Sequence, residues 1–263
     1  MTNSVTELRV PVAGGSLIVR HRSGRGPTSL FLHYWGGSAR TWEPTLAHLD
    51  PQVPVAFYDH RGWGRSNTLP GPFGLRQLAI DAATVIEALD TDVILVGHSM
   101  GGKVAQLVAA ENPTALAGLV LVAPAPPEPP AAITAQFQHR LAHAYDNSQT
   151  VSGAVDHVLT ALPLTASVRA AVIEDSLAGA AAARMDWPLH GIAENITAAA
   201  RRILVDTTVI AGSHDQVEPV DVLRRHLKPF ISQASIHVLD GPGHLIPLEA
   251  PEALASKLAQ RLG

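Results

Sequence analysis

Val93-Ile94-Leu95-Val96-Gly97-His98-Ser99-Met100-Gly101-Gly102, running on into Lys103-Val104-Ala105-Gln106-Leu107-Val108-Ala109, decides how the rest of the chain is read. The first four residues form a short apolar run of the kind found in a strand buried on both faces. The last seven carry a helical pattern. Between them is G-x-S-x-G, whose glycines permit a turn sharp enough to expose a serine hydroxyl above the end of the strand. The helix that follows points its free N-terminal amides and the positive end of its dipole at the same place. Ser99 is therefore a candidate nucleophile.

A serine hydroxyl attacks poorly unless a base, oriented by an acid, takes its proton. Of the 13 histidines, His244 stands out in Asp240-Gly241-Pro242-Gly243-His244, just beyond a predicted strand, where glycines free the loop to aim an imidazole. His98 is an unlikely base, since consecutive residues on a tight turn point apart. His214 reads as a loop residue. Asp215, in Ala211-Gly-Ser-His-Asp215-Gln-Val-Glu-Pro219, follows another predicted strand and is the preferred acid. A carboxylate, a serine and an imidazole at the carboxyl ends of parallel strands occupy the usual reaction edge of an open α/β sheet. Glu128 is the runner-up acid, and Glu218, just before Pro219, reads as a charge at a helix terminus.

The remaining strand candidates are Leu8 to Val12 and Ser16 to Arg20, joined through Gly14-Gly15 as a hairpin, then Ser29 to His33, Val53 to Tyr58, Gly118 to Val122, Thr207 to Ala211 and Ser235 to Leu239. Helical patterns at Leu75 to Leu89, Met100 to Ala110 and Glu252 to Leu262 alternate with them, which predicts a mostly parallel sheet with helices on both faces. After Val122 the rhythm breaks at Pro124-Ala-Pro-Pro-Glu-Pro-Pro130, and an alanine-rich helical stretch of roughly 70 residues follows, far more than one crossover needs. The expected organisation is a core of residues 1–125 and 202–263 with a helical lid over 126–201.

Hydrophobic residues make up 46% of the 263 and charged residues 16%, enough to bury a sizeable core. The net charge of -4, with basic residues scattered, argues against a nucleic-acid partner. There are no cysteines, so thiolate chemistry and disulfides are absent, in keeping with a reducing compartment. No apolar run approaches the ~20 residues of a membrane span, and the opening MTNSVTELRVPVAGG lacks the basic and apolar regions of a secretory signal. The expectation is a soluble, cytoplasmic protein acting on a small molecule, with no membrane partner and nothing that indicates a homo-oligomer. His139 and His143 could share a helix face, but two ligands without a third predict no metal. No phosphate-binding or dinucleotide glycine pattern appears, so no cofactor is expected.

Five segments, LHYWGGS, FYDHRGWGRSN, VGHSMGG, AGSHDQVEP and GPGHLIPLEAPE, together resemble the α/β-hydrolase superfamily, in its small serine esterase, perhydrolase and C–C hydrolase branch. The resemblance spans about Leu30 to Glu252 and leaves out the lid. It implies an eight-stranded, mostly parallel sheet, a lid after the sixth strand, and the order Ser99, Asp215, His244 for the triad. It also implies an oxyanion hole made by the backbone N–H groups of Trp35 and Met100. Tyr34 departs from the family pattern, which has Gly there. If its φ were positive it would be strained by roughly 1–3 kcal/mol; its phenol either packs or lines the substrate pocket. The Asp59-His60-Arg61-Gly62 segment is implied to brace the surrounding loops. His33, Tyr34, Phe137, Met185 and Trp187 are the pocket candidates. The implied activity is hydrolysis of a carboxylic ester or lactone of a largely apolar substrate through an acyl-enzyme. The alternatives are C–C bond hydrolysis of a diketone-type substrate with the same triad, or a ligand receptor on a hydrolase fold.

Overall fold

Strand pairing follows the predicted alternation closely. In a computed structural model, which describes residues 4–262, eight strands form one sheet: β1 (Thr6–Val12), β2 (Gly15–Arg22), β3 (Thr28–Leu32), β4 (Val55–Phe57), β5 (Val93–His98), β6 (Leu116–Val122), β7 (Thr207–Gly212) and β8 (Ser235–Leu239). Their order is β1-β2-β4-β3-β5-β6-β7-β8. The β1–β2 hairpin closes with Val12 opposite Gly15, and β2 alone runs against the other strands. β4 is shorter than its apolar run because Pro54 has no N–H to give to a ladder.

Eleven α-helices accompany the sheet among the described residues: α1 (Glu43–Leu46), α2 (Leu75–Leu89), α3 (Met100–Ala110), α4 (Ala135–Ala142), α5 (Ser148–Ala154), α6 (Ala166–Ala178), α7 (Ala181–Leu189), α8 (Thr197–Ala200), α9 (Val220–His226), α10 (Ile246–Glu249) and α11 (Pro251–Leu262). Side chains alternate across the central strands with the period of two that a pleated backbone imposes. Leu30, Leu32, Leu95, Leu119 and Leu121 join one buried cluster with Leu78, Val85, Val104 and Val108 of α2 and α3. Phe31, Ile94, Val96, Val120 and Val122 join another with Leu46 of α1 and Leu254 and Leu258 of α11. A sheet covered on both faces needs apolar residues at every strand position, which is why β3, β5 and β7 are buried throughout.

α4 to α8 all fall between β6 and β7, and no strand lies among them. No helix among the described residues is long and apolar enough to cross a membrane. The carboxyl ends of β3, β4, β5, β7 and β8 open onto one edge, and the loops leaving that edge bring the chemistry together.

Candidate active site

Ser99 occupies the turn between β5 and α3 with φ 53° and ψ −115°. A non-glycine residue there is strained by roughly 1–3 kcal/mol and is held only by its surroundings. The restraints are visible. The Ser99 amide donates to the Val122 carbonyl at 3.1 Å, and the Ser99 carbonyl accepts from Lys103 at 3.1 Å and Ala125 at 3.2 Å. The flanking glycines are required by space. A Cβ on Gly97 would lie 2.4 Å from the Gly101 carbonyl oxygen, and one on Gly101 would lie 2.5 Å from that of His33.

His244 Nε2 is 2.9 Å from Ser99 Oγ, and His244 Nδ1 is 2.9 Å from Asp215 Oδ2. A carboxylate only accepts, so Nδ1 carries the proton and Nε2 is free to accept from the serine hydroxyl. The Asp215 carboxyl is fully buried and the imidazole nearly so, which shields the relay from water. Burial pushes the Asp215 carboxyl up. The His244 charge and hydrogen bond, with the amides of Glu218 and Val217, outweigh that and hold it below the usual carboxylate range. Those two amides reach Oδ1 at 3.0 and 2.8 Å. The His244 backbone is held from both sides. Its amide donates to the Leu159 carbonyl at 2.9 Å, and its carbonyl is 2.8 Å from His98 Nε2.

The β3 exit carries the second set of groups. The Tyr34 carbonyl accepts from His33 Nδ1 at 2.8 Å and from the Gly37 amide at 3.0 Å. A planar trans peptide points the Trp35 N–H opposite to that carbonyl, so these two bonds also aim the amide. Neither the Trp35 amide nor that of Met100, the first residue of α3, has a hydrogen-bond acceptor among the described residues. His33 itself is fully buried, and its Nε2 accepts from the His60 amide at 3.0 Å. With both ring nitrogens tied to backbone it joins the β3 and β4 exits and presents nothing to a pocket.

Tyr34 is unstrained, because the positive φ of this loop belongs to Gly36, at 91°. Its ring is buried with its centroid 5.1 Å from that of His98. A Cβ on Gly37 would meet that ring at 2.5 Å, and one on Gly36 would meet the Tyr145 ring at 2.4 Å. Tyr34 and Tyr145 are thus each housed by a glycine. Burial raises the Tyr34 phenol well above its ordinary value, so it stays neutral.

Tyr34 also lines a cavity of about 210 Å³, with Arg40, Val172, Asp175 and Leu248 among the other walls. Ser99 and His244 are not part of that lining, nor are Phe137, Met185 and Trp187. Phe137 is half-buried on α4, and Met185 is 36% exposed on α7. Trp187 is buried where α7 meets α3, its ring 5.9 Å from Lys103 Nζ. Of the five pocket candidates, Tyr34 alone borders this cavity.

Several other groups have definite places. Glu128 pairs with His226 at 2.9 Å and makes no hydrogen bond to His244 among the described residues. Glu218, expected at a helix terminus, precedes the Pro219 cap of α9 and is buried beside Asp215. Its carboxyl is pushed well up by burial and then by the Asp215 charge. His214 faces Ser213 Oγ at 2.8 Å in the loop. The rings of His139 on α4 and His143 just after it lie 5.0 Å apart, and His143 pairs with Asp146. Asp59 accepts from the amides of Ala39 and Arg65, and Arg61 makes a two-point ion pair with Asp81 at 2.8 and 2.9 Å. The brace role of His98 was missed in the sequence, where only its adjacency to Ser99 marked it.

Comparison with known proteins agrees with this fold. The profile described as the alpha/beta hydrolase family matches residues 30–257. A pimeloyl-[acyl-carrier protein] methyl ester esterase of Pseudoalteromonas atlantica is 38% identical over 104 residues, which is 39% of this chain and 39% of that protein. The chain thus aligns with only about two fifths of that relative's length. A protein of Variovorax paradoxus named for carbamate hydrolysis, RutD, is 29% identical over 248 residues, 85% of this chain and 87% of that one. Among solved structures, an esterase from Exiguobacterium antarcticum superimposes with a TM-score of 0.88 at 21% identity, covering 98% of this chain and 99% of the other.

Proposed function

The chain belongs to the alpha/beta hydrolase family, and from that premise we propose that it is a serine hydrolase cleaving a carboxylic ester or lactone through an acyl-enzyme. The observation that carries this reading is the buried relay from Ser99 Oγ to His244 Nε2 and from His244 Nδ1 to Asp215, at 2.9 Å for each contact.

In the first step His244 Nε2 removes the Ser99 proton as Oγ attacks the substrate carbonyl carbon, and the carbonyl electron pair moves onto oxygen. The amides of Trp35 and Met100 hold the oxyanion. Donors of this kind are commonly worth about 2.7–4 kcal/mol each. The imidazolium, steadied by ionised Asp215, returns its proton to the departing alkoxide as the tetrahedral intermediate collapses. Water, deprotonated by the same imidazole, then attacks the acyl-enzyme, and the acid product leaves with Ser99 restored.

Residues 126–201 serve as the lid over this edge, and the low exposure of Ser99, His244 and Asp215 supports a reaction screened from water. The alanine-, leucine- and valine-rich composition of residues 126–201 supports a small to medium, largely apolar substrate. The name of the Variovorax relative adds carbamates to the acyl derivatives worth testing. A panel of p-nitrophenyl esters of graded chain length, lactones and a p-nitrophenyl carbamate is the test. Turnover of an ester or lactone that disappears in Ser99→Ala is the expected result. Turnover that survives Ser99→Ala overturns the mechanism.

A further inference from the structure

The segment between β6 and β7 grips the loop that carries the Trp35 amide. Tyr145, between α4 and α5, stacks its ring on Trp35 with centroids 3.9 Å apart and planes 19° from parallel. Its hydroxyl donates to the Trp35 carbonyl at 3.1 Å. The next carbonyl, of Gly36, accepts from Ser176 Oγ of α6 at 3.1 Å. The Trp35 indole N–H donates to the Arg184 carbonyl of α7 at 3.0 Å, and Arg184 Nη1 donates to the Tyr145 carbonyl at 2.6 Å. Farther along the loop, Ser38 Oγ and Arg40 Nε both donate to Asp175 of α6 at 2.8 Å. Two consecutive carbonyls immediately after the amide are therefore fixed by hydroxyls from outside the core. Gly36, at φ 91°, lacks the Cβ that would strike Tyr145.

We propose that Tyr145 is a positioning residue for the oxyanion hole, acting through Trp35, so that the helical segment is part of the catalytic frame and does more than cover it. This rests on Trp35 being an oxyanion donor. The physical argument is one of restraint. The Tyr34–Trp35 peptide is fixed at its carbonyl by His33 and Gly37. On its amide side, the only hydrogen bonds holding the Trp35 backbone and ring come from Tyr145 and Arg184 among the described residues. A donor must lie within a few tenths of an ångström of where the oxyanion forms to stabilise it fully. Loosening the following carbonyl lets the peptide rock, and that costs the transition state more than it costs the bound ground state.

The test compares Tyr145→Phe, which keeps the stack and removes the hydroxyl, with Tyr145→Ala, which removes both. Steady-state kinetics with p-nitrophenyl acetate are paired with the inhibition ratio of a trifluoromethyl ketone to its matched methyl ketone, which requires the serine hemiketal and whose change between variants reports how well the oxyanion is held. Tyr145→Phe is expected to lower kcat about tenfold, leave KM within about twofold, and reduce the ketone ratio in proportion, with a modest fall in melting temperature from the unpaired Trp35 carbonyl. If the wild-type protein shows no preference for the trifluoromethyl ketone, the oxyanion reading itself fails and takes this proposal with it. If the wild type shows the preference and Tyr145→Phe retains both kcat and the full ratio, Tyr145 is not a positioning residue while the oxyanion reading stands. Should Tyr145→Ala fail to fold, the phenylalanine variant and Ser176→Ala, expected to act in the same direction, decide the matter alone.

Discussion

His98 Nε2 donates to the main-chain carbonyl of His244 at 2.8 Å, so the residue before the serine holds the backbone of the residue that faces it. The ring is fully buried and its Nδ1 has no partner among the described residues. Ser99 and His98, consecutive in the turn, both end on His244. The first meets its side chain and the second its backbone.

Replacing His98 therefore acts on chemistry through His244. His98→Leu leaves a buried carbonyl unpaired, an expected loss of about 1–3 kcal/mol of stability, and allows the His244 loop to drift. The expected kinetic effect is a fall in kcat of about tenfold with little change in KM. His98→Gln, whose amide can donate to the same carbonyl, is expected to recover part of the loss. Equal kcat in wild type and His98→Leu contradicts the brace.

The same ring predicts how stability follows pH. Burial first, and then the neighbouring His244 charge, lowers the His98 imidazole from 6.5 to about 3. Between those values the unfolded chain binds a proton that the folded one refuses. Stability from this group is thus fully present above pH 6.5 and is lost as pH falls toward 3, at up to about 1.4 kcal/mol per pH unit. His33 and His60, lowered chiefly by burial, steepen the same limb. Urea titrations at pH 7 and pH 5 should give a lower midpoint at pH 5 and a smaller difference in His98→Gln. A midpoint that rises on acidification contradicts the assignment.

For the acid of the relay, Asp215→Asn should lower kcat by roughly 10⁴-fold, because an amide no longer favours the tautomer with a proton on Nδ1. Glu128→Gln should leave kcat within about twofold, since Glu128 is engaged with His226. The reverse pattern in steady-state rates would transfer the role to Glu128.

Arg61 and Asp81 form an ion pair in which each side chain is only 1% exposed, and Arg61 Nη1 also reaches the carbonyls of Ala13 and Pro70. Arg61→Met leaves Asp81 charged and buried, with Gln77 as its remaining side-chain partner. The expected loss in denaturant titrations is about 3–5 kcal/mol, with kcat per folded molecule little changed. A loss below about 1 kcal/mol would mean that the pair is solvated in solution.

Much of this arrangement was legible in local sequence. Strands β3, β5 and β7 announce themselves as short apolar runs because both sheet faces are covered, and Gly97, Gly101 and Gly102 mark the elbow because backbone passes where a Cβ would be. Asp215 and His244 could be singled out because each closely follows a strand and has glycines or a proline nearby. The contacts of Tyr145, Ser176 and Arg184 with the Trp35 loop were not legible. They join residues more than 100 positions apart, and no periodic pattern encodes them. Pocket candidates chosen for being apolar and aromatic failed to group together because composition does not say which helix face meets the core. Trp187 faces Lys103 of α3, and Met185 faces outward. Glu218 does stand at the start of α9, but its burial beside Asp215 was not legible from its place before a proline. Tyr34 is buried, its ring accommodated by Gly37, and it borders a cavity.

The central claim is that Ser99 is the nucleophile, activated by His244. Intact-mass and peptide mapping after reaction with a fluorophosphonate tests it most directly. One adduct on Ser99 in the folded wild-type protein, absent from Ser99→Ala and strongly slowed in His244→Ala, is the predicted result. An unlabelled wild type, or an adduct on another residue that persists in Ser99→Ala, contradicts it.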